Sequence, residues 1–296
     1  MNKPTITQPT ITQDMINAYD EYTHLTLDRR GFMERLTKLA GSGVAAAAIA
    51  PLLGASAVQA AIVEEGDARV ETADVTFPGS TGEMKAYLAL PKERAGKLPG
   101  VVVIHENRGL NAHIKDVARR MALEGFAALA VDFLSPAGGT PDNEDVARDM
   151  IGKLDGGQTT ANAGVAVAFL KGHEAVNGKA GAMGFCWGGG LVNSLAVSDP
   201  GLDAGVAYYG RQAAAVDVPK ITAPLMLHYG GLDERINAGI PEFEAALKAA
   251  GKTYELFIYD GVNHAFNNDT SEARYDKAAA DLAWGRTVAF LKKYAG

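Results

Sequence analysis

Cys186 is the only cysteine among 296 residues, and a glycine stands two residues to either side of it in Gly184-Phe185-Cys186-Trp187-Gly188. The apolar run Ala180-Gly181-Ala182-Met183 precedes this motif and a helix-like stretch, 191–196, follows it. A strand, a glycine-flanked nucleophile and a helix make a nucleophile elbow, in which the glycines relieve the crowding of a sharp turn and the side chain stands above the sheet. The nucleophile here is a thiol, whose ionised form carries out acyl transfer.

Asp233 follows the strand-like stretch Leu227-His228-Tyr229 through the turn Gly230-Gly231-Leu232, and His264 follows the run Tyr259-Asp260-Gly261-Val262-Asn263. Taken singly, each residue has a plainer reading: the aspartate as a turn former, the histidine as a packing group, the cysteine as a small hydrophobe. Taken together, they stand in the order nucleophile, acid, histidine, each after a strand, which is the order of α/β-hydrolases.

Such a triad needs a sheet to hold it. From residue 61 to 296 strand and helix patterns alternate, which predicts an α/β fold with a mostly parallel sheet and helices on both faces. Strands are expected over 70–77 and 83–90 as an antiparallel pair, then over 99–105, 126–132, 179–184, 202–209, 223–229 and 254–260. Helices are expected over 111–123, with Asn111 as cap, and over 142–154, 159–171, 241–250 and 272–294. No Pro/Gly/Ser-rich linker interrupts the region, so 61–296 reads as one domain. Asp233 and His264 then fall at the C-terminal ends of strands, where open α/β sheets place their sites.

Composition narrows the chemistry. The chain is 47% hydrophobic and 21% charged, an ordinary globular balance, and its net charge of −7 without a basic patch argues against nucleic acid as a partner. His105-Glu106 lacks the second histidine of H-E-x-x-H, and one cysteine cannot build a thiolate zinc site. There is no phosphate loop, so no metal, nucleotide or flavin cofactor is implied.

Residues 1–60 read differently. The first 27 are polar and without core periodicity; then Asp28-Arg29-Arg30-Gly31-Phe32-Met33 leads into a small-residue apolar run over 39–57. This pattern resembles a twin-arginine export signal, with Val58-Gln59-Ala60 as cleavage site, and predicts that 1–60 is removed or disordered. Glycines 41, 43 and 54 with Pro51 make the run a poor membrane span, so no stable anchor is expected after processing. The expected partner is the twin-arginine export machinery and the expected location the periplasm, or the cytoplasm if the signal does not function. In an oxidising compartment a lone cysteine placed in an elbow reads as a retained reactive thiol.

His105-Glu106-Asn107-Arg108-Gly109, the elbow Gly184–Gly189, the Asp233 turn and Asn263-His264-Ala265-Phe266 together resemble the dienelactone hydrolase (carboxymethylenebutenolidase) family, over roughly residues 65–294. The resemblance implies a small-molecule ester or enol-lactone substrate. It implies that Cys186 attacks the carbonyl, that His264 moves the proton and that Asp233 orients the imidazole. The backbone N–H groups of Trp187 and Asn107 would form the oxyanion hole, and Glu106 would engage the resting thiol until substrate displaces it. The Trp187 indole is expected to pack. From their places in the sequence, Tyr208 and Tyr209 are expected to line the pocket and Arg108 and Arg211 to reach its mouth, while His113 and His228 read as structural or surface groups.

The pattern departs from the family at two places. Two arginines that hold a substrate carboxylate in founding-type members correspond here to Pro136 and Asn268. A general esterase or thioesterase for uncharged substrates is therefore a second reading. An exported, non-catalytic binding or redox-sensing protein is a third.

Overall fold

The computed structural model describes residues 10–24, 26–54 and 61–296. Eight strands occur among these residues: β1 (Val70–Pro78), β2 (Glu83–Pro91), β3 (Leu98–Ile104), β4 (Ala127–Asp132), β5 (Val176–Phe185), β6 (Gly205–Tyr208), β7 (Leu225–Gly230) and β8 (Tyr254–Tyr259). They form one sheet in the order β1-β2-β4-β3-β5-β6-β7-β8. β1 with β2 and β2 with β4 pair antiparallel, and every pairing from β4 to β8 is parallel. The expected α/β-hydrolase sheet is present.

The helices are α1 (Gln13–Thr23), α2 (Arg29–Ala40), α3 (Gly43–Leu53), α4 (Ala112–Leu123), α5 (Glu144–Ile151), α6 (Gly156–Lys171), α7 (Trp187–Ser198), α8 (Glu234–Asn237), α9 (Ile240–Ala249) and α10 (Lys277–Ala295). Alternation along the strands divides the core in two. Val102 and Ile104 of β3 face one layer with α6, α7 and α9, represented by Val167, Leu195 and Phe243. Val101 and Val103 face the other, with Ile114 and Met121 of α4 and Leu291 of α10. A strand buried on both faces carries an unbroken apolar run, as β3 does over Val101, Val102, Val103 and Ile104.

Two helix starts differ from expectation. Gly156 and Gly157, outside the expected helix over 159–171, form the first turn of α6 because Asp155 caps it by accepting from the Gln158 N–H. The last helix begins at Lys277 rather than near 272, where Asp276 accepts from the Ala279 N–H. Both are N-caps whose side-chain oxygen satisfies a first-turn amide.

The chain divides into two compact units. Ala60–Asn267 and Asp276–Gly296 make the α/β unit, and Met1–Gln59 with Asn268–Tyr275 makes a helical one. In the helical unit α1 buries Met15, Ile16, Ala18, Tyr19 and Tyr22, which corrects the reading of 1–27 as lacking a core face. Asn268–Tyr275, read from sequence as part of the α/β region, belongs to this unit. Its Arg274 pairs with Asp20 at 3.1 Å and stands 5.0 Å over the Tyr19 ring. Asp28 caps α2, accepting from the Gly31 N–H at 2.7 Å, and Arg29 and Arg30 form the first turn. Among the described residues no single helix is long and apolar enough to cross a membrane, and α2 and α3 meet at a 112° bend. The expected cleavage site at 58–60 lies outside the described residues.

Candidate active site

The elbow forms where β5 gives way to α7. Cys186 is the N-cap of α7 with φ 55°, a left-handed conformation that L-residues adopt only under constraint. Its amide donates to the Tyr208 carbonyl oxygen at 3.0 Å, tying the turn to the end of β6. The flanking glycines are required by space: a Cβ on Gly184 would lie 2.3 Å from the Gly188 carbonyl oxygen, and one on Gly188 would lie 2.5 Å from that of His105. Trp187 is the first residue of α7, so its N–H has no partner within the helix.

Asp233 follows β7 and caps α8, with Oδ1 accepting from the Ile236 N–H at 3.2 Å. Its other oxygen, Oδ2, accepts from His264 Nδ1 at 2.5 Å. Both residues are buried, as is Cys186. The Cys186 sulfur lies within 4.8 Å of a His264 ring nitrogen, and the two side chains interact by hydrogen bonding and charge.

Electrostatics follow from that geometry. Burial pushes the Asp233 carboxyl up, but His264, Arg235 and the Ile236 amide outweigh it and hold the group below the usual carboxylate value. Burial pushes His264 down, and the adjacent Asp233 and Cys186 outweigh it, so the imidazole is held well above its ordinary value. A buried histidine beside a sulfur, whose protonated form its neighbours favour, is placed to exchange a proton with a thiol.

Three non-glycine residues among those described have positive φ: Cys186 at 55°, Tyr209 at 39° and Ala265 at 62°. They are the elbow cysteine, a residue just past the end of β6 and the neighbour of His264. Strain of this kind persists only where surrounding structure over-determines it, and its concentration marks a functional site.

Glu106 is buried at the end of β3, and its Oε1 lies 3.5 Å from the Tyr209 hydroxyl. Asn107 follows it and is partly buried. The expected pocket-mouth arginines separate. Arg108 is buried and pairs with Glu144 at 2.7 Å, so its charge is already compensated, whereas Arg211 is exposed. Tyr209 is buried, with its ring 4.8 Å from that of His264. Pro136 sits in a short 3-10 turn, and Asn268 Oδ1 accepts from both the N–H and the hydroxyl of Thr270.

Two histidines carry more than the sequence reading gave them. The His105 ring stacks on Trp187 at 5.2 Å and 12°, which is where the expected packing of the indole is found. A carbonyl only accepts, so His105 Nδ1 donates to the Glu106 carbonyl oxygen at 2.6 Å, and Nε2 accepts from the Phe133 N–H at 3.3 Å. Burial pushes its pKa down, as that neutral tautomer needs. His228, read as structural or surface, is buried in a hydrogen-bonded chain. Arg286 donates to the Tyr259 hydroxyl at 3.1 Å, and that hydroxyl shares a hydrogen bond with His228 Nδ1 at 3.0 Å. His228 Nε2 shares one with the Thr287 hydroxyl at 3.1 Å, which in turn contacts that of Tyr208 at 2.6 Å. Only the position of His105 beside Glu106 was a signal in the sequence; the partners of His228 lie at least 31 residues away.

Residues 84–295 match the model of the "Dienelactone hydrolase family". A protein of Escherichia coli O157:H7, provisionally named carboxymethylenebutenolidase, is 31% identical over 256 residues, covering 82% of this chain and 94% of its own. A Bradyrhizobium protein, provisionally named 2-oxo-3-(5-oxofuran-2-ylidene)propanoate lactonase, is 35% identical over 230 residues, covering 72% of this chain and 91% of its own. A crystal structure from Klebsiella pneumoniae, provisionally titled dienelactone hydrolase, superposes with a TM-score of 0.69 at 29% identity. It covers 76% of this chain and 99% of its own.

Proposed function

The chain belongs to the dienelactone hydrolase family, and from that premise we propose that it hydrolyses ester or lactone bonds with Cys186, His264 and Asp233 as its triad. The observation that carries this reading is the His264 Nδ1 to Asp233 Oδ2 contact at 2.5 Å, beside a cysteine held at positive φ in an elbow.

The Cys186 sulfur attacks the carbonyl carbon, and its thiol proton passes to His264. The resulting oxyanion is met by the N–H groups of Trp187 and Asn107, donors that need no reorganisation as charge develops. Collapse breaks the C–O bond, and the imidazolium gives its proton to the departing oxygen. Water then attacks the thioester with His264 as base, releasing the acid and restoring the thiol. Asp233 holds the ring by Nδ1 throughout, and Glu106 governs the ionisation of the resting thiol. Arg29 and Arg30 form the signal that directs the chain through the twin-arginine machinery to the periplasm, supported by their order ahead of the apolar run and the exposure of Arg30.

A pre-steady-state burst of alcohol from an activated neutral ester, equal to the Cys186 content, tests the covalent step. The expected result is a burst in the wild type and none in Cys186→Ala. A Cys186→Ala variant that still turns over at the wild-type rate would overturn the assignment.

A further inference from the structure

The loop that carries Asn107 is fastened on both sides to one stretch of chain, residues 132–144. On the N-terminal side, the Phe133 N–H donates to His105, which in turn donates to the Glu106 carbonyl. On the C-terminal side, Arg108 pairs with Glu144 at 2.7 Å and the Leu110 N–H donates to the Thr140 hydroxyl oxygen at 2.9 Å. Between these, Gly109 has φ +76°, and a Cβ there would stand 2.3 Å from Thr140 Oγ1.

Thr140 is itself fixed. Its N–H donates to Asp132 Oδ2 at 2.8 Å and its hydroxyl to Asp132 Oδ1 at 2.8 Å. Asp132 Oδ1 also accepts from the Leu134 N–H at 3.0 Å, so the carboxylate cannot swing away without losing three donors. A hydroxyl has one proton; with that proton on Asp132, Oγ1 is left to accept from Leu110. The result is a polarised chain, Leu110 N–H to Thr140 O–H to carboxylate, ending three residues beyond Asn107.

We infer that Thr140 is a positioning residue of the hydrolytic site, setting the orientation of the Asn107 peptide through Leu110 and Gly109 so that its N–H meets the developing oxyanion. This rests on the proposed role of Asn107 in the oxyanion hole. Small errors in placing such a donor are costly, because its benefit depends on aim.

The test separates reactions that form an oxyanion from one that does not. Acylation of Cys186 by a neutral p-nitrophenyl ester passes through a tetrahedral oxyanion; alkylation by iodoacetamide displaces iodide at a saturated carbon and forms none. Thr140→Val keeps the shape and removes both hydroxyl bonds, and Thr140→Ala does so without adding bulk should the valine variant fold poorly. The expected result is an acylation rate lower by about tenfold or more, with KM and the alkylation rate within about twofold of wild type and with Thr140→Ser restoring acylation. Acylation at the wild-type rate in both variants, or equal loss of acylation and alkylation, would overturn the inference. Absence of a burst in the wild type would instead remove the hydrolytic reading and this inference with it.

Discussion

The Tyr209 hydroxyl stands 3.5 Å from Glu106 Oε1, while its ring lies 4.8 Å from that of His264. One side chain therefore touches both groups proposed to handle the thiol proton. Its position is imposed by the backbone, where Tyr209 has φ 39° and its amide donates to the His228 carbonyl oxygen at 2.6 Å.

Tyr209→Phe and Glu106→Gln should both change how Cys186 reactivity depends on pH. The first removes the hydroxyl beside the carboxylate and keeps the ring contacts; the second removes the charge and keeps the shape. Iodoacetamide rates measured from about pH 5 to 9 should give displaced profiles for both variants with unfolding temperatures near wild type. Superimposable profiles would sever Glu106 from the thiol.

Asp233→Asn should lower kcat by about 10³ to 10⁴ and move the alkaline limb of the kcat profile to lower pH. The sign follows from the group removed. Asp233 and Cys186 raise His264 against burial, so without the carboxylate the imidazolium is lost at lower pH and the leaving oxygen loses its proton donor sooner. An alkaline limb that does not move would show that Asp233 does not set the acidity of His264.

Neutral esters and lactones should be better substrates than their carboxylated analogues. Pro136 and Asn268 offer no cation, Arg108 is spent on Glu144, and only exposed Arg211 remains among the named candidates. Each missing charge-assisted contact is worth about one to two powers of ten in binding. Comparative kcat/KM on matched pairs decides the matter: a strong preference for the carboxylated member that survives Arg211→Ala would contradict it.

Stability should fall on acidification through His228. Burial first, and the Arg286 charge second, push its pKa down to about 3. Tyr259, Tyr208 and Thr287 also contact it. In the unfolded chain a histidine titrates near ~6.5, so below that pH the unfolded state takes up a proton that the folded state excludes. Stability therefore rises with pH between about 3 and 6.5, and this group alone costs about 3 kcal/mol between pH 6.5 and 4. Denaturant titrations of wild type and His228→Gln across that range should diverge in slope, whatever their offset. Parallel slopes would rule His228 out as the cause.

Replacing Arg29 and Arg30 together by lysine should leave the chain in the cytoplasm, because lysine lacks the planar guanidinium fork. Cell fractionation reads the outcome. Normal accumulation in the periplasm would show that export, if it occurs, uses another signal.

The sheet and the elbow were legible because each rests on local chemistry: the apolar run of β3, and glycines at 184 and 188 where a Cβ would strike backbone. The order Cys186, Asp233, His264 carried the rest of the site's outline. What was not legible depends on partners distant in sequence. Thr140 holds a loop 30 residues earlier, and His228 meets Thr287 59 residues later. α1 escaped notice because its apolar residues at 15, 16, 19 and 22 are scattered among polar ones and gain meaning only against Phe32 and Leu36. Arg108 looked available because nothing in the motif announces Glu144.

The sheet order also sets when the proposed triad comes together. Cys186 follows β5, but His264, its proposed base, follows β8, the last strand in the chain and the edge of the sheet. A growing chain that has completed β5 has not yet made His264, and the two side chains come together only after some 80 further residues have emerged. On the proposed triad, acyl transfer by Cys186 therefore requires the completed sheet, β8 included, and not the elbow alone.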